Sequence, residues 1–247
     1  MTNHSVVARF AQARSDTSLV VLEGFHPLKH AIRFGAELLD VVTPNIEKVK
    51  KLAGELAPDV IDGLEDRLTE VSESVFEELA PVAPVTGVIA IAQRPSHSLN
   101  DILNDPTSAP LIYLEEPSNL GNVGAVIRVA AAAGAEGVLT SGVHDPWHAA
   151  AVRGAAGLHF AVPVLRVGTL PSCDRPLVAL DPDGEPLQQS QIPERAILAF
   201  GTERGGLTPE LLSKADARVS LPMRKGVSSL NLATAVAAVL YVWRLAD

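Results

Sequence analysis

The run Ala196-Ile197-Leu198-Ala199-Phe200 leads straight into Gly201-Thr202-Glu203-Arg204-Gly205-Gly206-Leu207. Twelve positions later Val219-Ser220-Leu221-Pro222-Met223 leads into Gly226-Val227-Ser228-Ser229-Leu230-Asn231, ahead of a long Ala-rich apolar segment. A short, wholly apolar run bounded by glycine is the pattern of a strand buried on both faces, as in a parallel sheet covered by helices. Strands that end in loops of Gly, Ser, Asn and Pro build small-molecule clefts, because the backbone amides there have no ladder partner and are free for a ligand. Glu203 brings a carboxylate into a loop otherwise built from small residues.

Working outward, the same pattern recurs upstream. Leu111–Leu114 reads as a strand, followed by Glu115-Glu116-Pro117-Ser118-Asn119-Leu120-Gly121-Asn122-Val123-Gly124 and a helix over about 123–133 that Gly134 closes. Further strands are expected at 138–140, 161–165, 177–180 and 217–221, and helices at 146–155, 208–214 and 229–245. The first part alternates likewise: strand 18–24, helix 25–34, strand 38–43, helix 46–56, a short helix at 73–79 and strand 86–92. Residues 1–18 are polar and mixed, and read as a short helix that packs loosely. Pro95, Pro106 and Pro110 among Ser, Asn and Asp mark a linker over 93–110, with a short helix at 98–104. The expectation is an α/β protein of two domains, 1–105 and 106–247.

Composition agrees. Of 247 residues 47% are apolar but only 4% aromatic, so the core must be aliphatic. The one cysteine, Cys173, excludes an internal disulfide and a cysteine-only metal cluster. The histidines show no ligand spacing, so no metal is expected. No signal-type or membrane-spanning run stands in the sequence, which makes the cytoplasm the default location and a membrane partner unexpected. The net charge of -9 argues against a polyanionic partner at first sight. Residues 1–108 hold 9 basic and 16 acidic side chains and 109–247 hold 11 and 13, so the deficit lies mainly in the first half.

The glycine turn at 121–124 lacks the Gly-x-Gly-x-x-Gly spacing of a dinucleotide site, and Thr140 and Ser141 stand where an acidic residue would hold a ribose. There is no phosphate loop and no Gly-x-Ser-x-Gly elbow. Taken singly, Asn122 reads as a helix N-cap and Arg128 as a solvated surface residue. Ser228, Ser229 and Asn231 read as caps of the last helix.

Together these residues are more specific. Pro117 to Arg128 (Pro-Ser-Asn-Leu-Gly-Asn-Val-Gly-Ala-Val-Ile-Arg) resembles the first motif of the SpoU family of RNA ribose 2'-O-methyltransferases. Phe200-Gly201-x-Glu203-x-x-Gly206-Leu207 resembles the second, and Leu221-Pro222-Met223 with Ser229-Leu230-Asn231 the third. The three stand in the family's order. Leu22-Glu23-Gly24 and Thr86-Gly87-Val88-Ile89-Ala90 give residues 1–105 a weaker resemblance to the family's RNA substrate-binding domain, which is similar to a ribosomal protein.

The resemblance implies a catalytic domain over 106–247 with a deep trefoil knot, an exception to the usual unknotted topology. It implies a homodimer, S-adenosyl-L-methionine as methyl donor, and a structured RNA as substrate, ribosomal in preference to transfer RNA. It assigns donor contacts to Gly201, Leu221, Met223 and Leu230, with Leu221 and Leu230 sandwiching the adenine. Gly201 would let the backbone approach the ligand closely. It assigns chemistry to Asn122, Arg128, Glu203, Ser229 and Asn231, with Asn119 a second candidate for the asparagine role. Arg128, Arg153, Arg204, Arg224 and Lys225 would form a basic surface around the cleft. The sequence departs from the family where Val129-Ala130-Ala131 replaces the frequent Thr-Ala-Asp and where Glu116 replaces aspartate. A catalytically silent RNA-binding or assembly factor on the same fold is the alternative; intact Asn122, Arg128 and Glu203 speak against it.

Overall fold

The computed structural model describes residues 3–188, 192–202 and 205–245, with Glu203 and Arg204 outside them. The chain forms two compact units, residues 1–96 with 147–161, and residues 97–146 with 162–247.

The first unit is built on a four-stranded sheet of β1 (Leu19–Glu23), β2 (Leu38–Thr43), β3 (Leu68–Glu70) and β4 (Ile89–Gln93), in the order β1-β4-β2-β3. Both partners of β4 run antiparallel to it, whereas β2 and β3 are parallel. Helices α2 (Phe25–Arg33) and α3 (Ile46–Leu56) bury Leu28, Ala31, Val49 and Ala53. Two helical turns at Pro58–Val60 and α4 (Ile61–Glu65) were not expected, nor was β3.

The N-terminal helix corrects an expectation. Helix α1 (Asn3–Ser15) does not pack loosely: Val6, Phe10 and Ala13 are buried, Phe10 to 1% exposure. They join Val21, Val42, Phe76, Leu79 and Ile91, with α5 (Glu73–Glu78) supplying Phe76. The three stand four and three residues apart on one face, and the intervening Arg and Gln that make the segment look polar face away.

Residues 147–161 fold with this first unit. Helix α8 (Ala149–Gly154) starts after Pro146 rather than at it, because His148 Nδ1 accepts from Ala150 N and caps it. Arg153 Nη1 reaches Glu23 Oε2 at 2.5 Å, and Arg14 Nη1 reaches Glu23 Oε1 at 2.8 Å. Glu23 is thus a nearly buried carboxylate compensated from two sides.

The second unit holds six parallel strands: β5 (Leu111–Leu114), β6 (Gly137–Thr140), β7 (Val164–Arg166), β8 (Leu177–Pro186), β9 (Ile197–Phe200) and β10 (Ala217–Ser220), in the order β10-β8-β9-β5-β6-β7. Every residue of β5, β6 and β9 is buried, as continuous apolar runs require in a sheet covered on both faces. Strand β7 begins at Val164 rather than at 161, since Ala161 still closes the preceding 3₁₀ turn at Leu158–Phe160, its N donating to Leu158 O, and ends the segment that folds with the first unit. The covering helices are α6 (Leu99–Asn104), α7 (Leu120–Ala133), α9 (Pro209–Lys214) and α10 (Leu232–Arg244), and α10 packs on α7. Helix α6, in the stretch read as a linker, inserts Ile102 and Leu103 into the core beside Leu111, Leu177 and Ile197. Its last carbonyls are satisfied by buried Arg175, whose Nη2 donates to Ile102 O at 2.9 Å and whose Nε donates to Leu103 O at 3.0 Å.

Candidate active site

Connections from β5 run toward β6, and those from β9 run the other way across β8 to β10. Loops that diverge from adjacent parallel strands open a crevice at the carboxyl ends of the strands, where ligands bind in open α/β sheets. The three motifs stand at those ends.

After β5, Asn119 is the N-cap of α7, its Oδ1 accepting from Asn122 N at 3.0 Å. The cap is therefore Asn119, and the Asn122 side chain is left for another purpose. Asn122 Oδ1 accepts from Asn231 Nδ2 at 2.9 Å. Asn231 Oδ1 in turn accepts from Ala233 N at 2.9 Å and Thr234 N at 3.4 Å, capping α10. One amide pair thus joins the first turns of two helices 109 positions apart and brings the first and third motifs together. Arg128 is exposed on α7, with no hydrogen bond or ion pair among the described residues.

After β9 the chain doubles back tightly. Thr202 and Gly206 exchange two backbone hydrogen bonds of 3.1 Å, and Thr202 Oγ1 accepts from Gly205 N at 2.9 Å. A side chain at 201 would put its Cβ 2.0 Å from the Gly206 carbonyl carbon. Glycine is therefore required there by the returning backbone of the loop itself, a nearer reason than approach to a ligand. The far end of the loop is tied to the residue that follows β5, just ahead of the first motif: Glu115 Oε2 accepts from Thr208 N and Glu115 Oε1 from Thr208 Oγ1, both at 2.7 Å.

Between the ends of β9 and β10 and the middle of β8 lies a cavity of about 380 Å³. Gly201, Leu221, Met223 and Leu230 line it, as does Ser229. Phe200, Val219, Leu232 and Ala235 make the rest of its wall largely apolar, and Asp181 is its one ionisable lining residue among those described. The volume suits a nucleoside-sized ligand, and the mix of apolar wall with a few polar groups is that of a cofactor site. Glu203 lies outside the described residues. Glu115, Thr208 and Asp181 were missed in the sequence reading. Thr208-Pro209-Glu210 carries an N-cap signal, and Asp181-Pro182-Asp183-Gly184 a turn signal, but neither points to a cavity.

Of the residues expected on a basic surface, Arg128, Arg224 and Lys225 are exposed. Arg204 is outside the described residues, and Arg153 is held by Glu23 in the first unit. Among the described residues no group of three or more His, Cys, Asp or Glu could hold a metal ion, and no helix is long and apolar enough to cross a membrane.

A parallel α/β unit with a ligand-sized cavity between glycine- and serine-bearing turns, and an asparagine pair beside it, defines a class of cofactor-dependent enzymes. The chain belongs to the SpoU rRNA methylase family, whose model matches residues 109–241. It is 26% identical to the 23S rRNA (guanosine(2553)-2'-O)-methyltransferase RlmP of Bacillus subtilis, over 92% of this chain and 89% of that one. It is 28% identical to a 23S rRNA (uridine(2479)-2'-O)-methyltransferase of Streptomyces viridochromogenes, over 88% and 79% of the two chains. In fold it is similar to the SpoU methyltransferase AviRb of Streptomyces viridochromogenes in complex with AdoMet, with a TM-score of 0.77 at 23% identity over 96% and 97% of the chains.

Proposed function

We propose that this protein transfers a methyl group from S-adenosyl-L-methionine to a ribose 2'-hydroxyl of a structured RNA, ribosomal RNA in preference to transfer RNA. The observation that carries the reading is the 380 Å³ cavity walled by the second and third motifs, with the Asn122–Asn231 pair at 2.9 Å linking the third motif to the first. The names of the curated relatives, both 23S rRNA 2'-O-methyltransferases, support the substrate class.

In this reading Leu221 and Leu230 flank the adenine, while Gly201 and Met223 complete the pocket. When bound, the donor supplies a sulfonium methyl already activated for in-line transfer, so the protein needs mainly to align the hydroxyl and manage its proton. Asn122 and Asn231 restrain each other's rotamers through their shared hydrogen bond. Arg128 clamps a phosphate of the RNA and stabilises the developing alkoxide, a role suited to a guanidinium that stays protonated. Ser229 and Glu203 complete the polar site. Residues 1–105 serve as the RNA substrate-binding domain, similar to a ribosomal protein. Residues 106–247 form the knotted catalytic domain, and the working form is a cytoplasmic homodimer.

The test is incubation with labelled donor and total RNA, followed by nuclease digestion. Labelled 2'-O-methyl nucleosides are expected. Label in a base would overturn the ribose assignment, and RNA binding without product would favour a silent assembly factor.

A further inference from the structure

Strand β8 does not pair regularly to its end. Its register with β10 jumps from Ala179↔Arg218 to Glu185↔Val219, so residues 180–184 leave the ladder. Irregularities of this kind re-aim side chains beside functional sites. Leu180, Asp181 and Pro182 of the excursion line the cavity.

The Asp181 side chain is only 11% exposed. Its Oδ2 accepts from Arg218 Nε at 2.9 Å and also from Arg218 Nη2. Its Oδ1 accepts from Asp183 N at 3.1 Å. A carboxylate has about four acceptor positions, so Oδ1 keeps capacity for a further donor. An ion pair that merely fastened the excursion would account for Oδ2. It would not account for a carboxylate on the wall of a cavity whose other lining residues, among those described, carry no ionisable side chain.

We propose that Asp181 recognises the ribose diol of the adenosine moiety of the methyl donor, accepting a hydrogen bond from a ribose hydroxyl; this rests on the reading of the cavity as the donor site. The Arg218 guanidinium, outside the lining, already compensates the charge of Asp181. Little field is left for the donor's ammonium, but a hydroxyl needs only a free lone pair in a fixed place. The apolar wall of Leu221 and Leu230 suits a base, which leaves the sugar as the part in need of a polar partner.

The experiment is calorimetric titration of the full chain with S-adenosylhomocysteine, 5'-methylthioadenosine, and the 2'-deoxy and 3'-deoxy forms of the latter. Wild-type protein is expected to bind at least one deoxy form about tenfold to a hundredfold more weakly than the parent, the range for a lost hydrogen bond to a charged group. Asp181→Ala should lose a similar factor on the parent and no longer tell parent from deoxy forms. Arg218, being half-exposed, can hydrate when its partner is gone, and a melting curve checks the fold. Were that variant not to fold, the wild-type comparison with the deoxy forms decides alone. Equal binding of parent and deoxy forms by wild type overturns the proposal. So does an Asp181→Ala defect seen with S-adenosylhomocysteine but not with 5'-methylthioadenosine, because the amino-acid end is then what Asp181 reads. If wild type binds neither parent compound, the donor-site reading fails and the proposal falls with it.

Discussion

Arg128 stands on α7 exposed and without a partner among the described residues, which separates its chemistry from its contribution to stability. Arg128→Ala should leave the melting free energy within about 0.5 kcal/mol. It should lower turnover by about a hundredfold or more, as removal of a transition-state donor does, with donor affinity unchanged. Arg128→Lys, which keeps charge but not the planar fork, should recover only part of the rate. Full activity in Arg128→Ala would remove it from the site. The asparagine pair behaves differently, because its two members carry unequal loads. Asn231 both caps α10 and donates to Asn122, whereas Asn122 makes no cap. Asn231→Ala should therefore cost about 1 kcal/mol more stability than Asn122→Ala, the usual worth of an N-cap, and urea melts of the two variants measure it. Equal costs would mean that the cap is worth no more than what Asn122 contributes apart from the shared bond.

At the scale of elements, legibility followed periodicity. Strand β2 and helix α3 lie at the expected bounds, 38–43 and 46–56; Asn45 caps α3, its side chain accepting from Lys48 N. Strand β3 has three residues and offers no period to read. Helix α1 was visible as a helix, but its anchoring was not, since three buried residues among thirteen barely raise the apolar content. Phe10→Ala should cost about 3–5 kcal/mol, measured by denaturant unfolding, whereas a loosely packed helix would lose under about 1 kcal/mol. The site was legible as three motifs. What fixes the chain around them was not, because those bonds join distant residues: Glu115 to Thr208 across 93 positions, Asp181 to Arg218 across 37 and, between the first and third motifs themselves, Asn122 to Asn231 across 109. Nothing local in a sequence records such pairs. The first of them carries a prediction. With both oxygens of Glu115 engaged by Thr208, Glu115→Ala should loosen the loop after β9 and weaken donor binding severalfold while the global fold persists. Titration with S-adenosylhomocysteine reads that change, and unchanged affinity would show that the loop holds itself.

At the scale of the whole molecule, the chain passes between its two units three times, at 96–97, 146–147 and 161–162. The segment that returns to the first unit is fastened there by Arg153 on Glu23, a carboxylate only 6% exposed at its side chain. Arg153→Ala removes one of two compensating cations, and Arg14 remains at 2.8 Å. The cost should fall between the roughly 1 kcal/mol of a surface pair and the roughly 3 kcal/mol of a broken buried one. It should appear as earlier unfolding of the first unit, with donor affinity unchanged. The proposed homodimer is tested at the same scale. Helix α10 buries Val236, Val239 and Leu240 but leaves Tyr241 and Leu245 exposed and Val242 and Trp243 only partly covered. An apolar end of this kind on a 26.0 kDa chain is a candidate for burial against a second copy. Light scattering should give twice the monomer mass for wild type. Tyr241→Glu should shift the equilibrium toward monomer by setting an unpaired charge into the contact. A monomeric wild type would refute the dimer, and a dimer untouched by Tyr241→Glu would move its interface elsewhere.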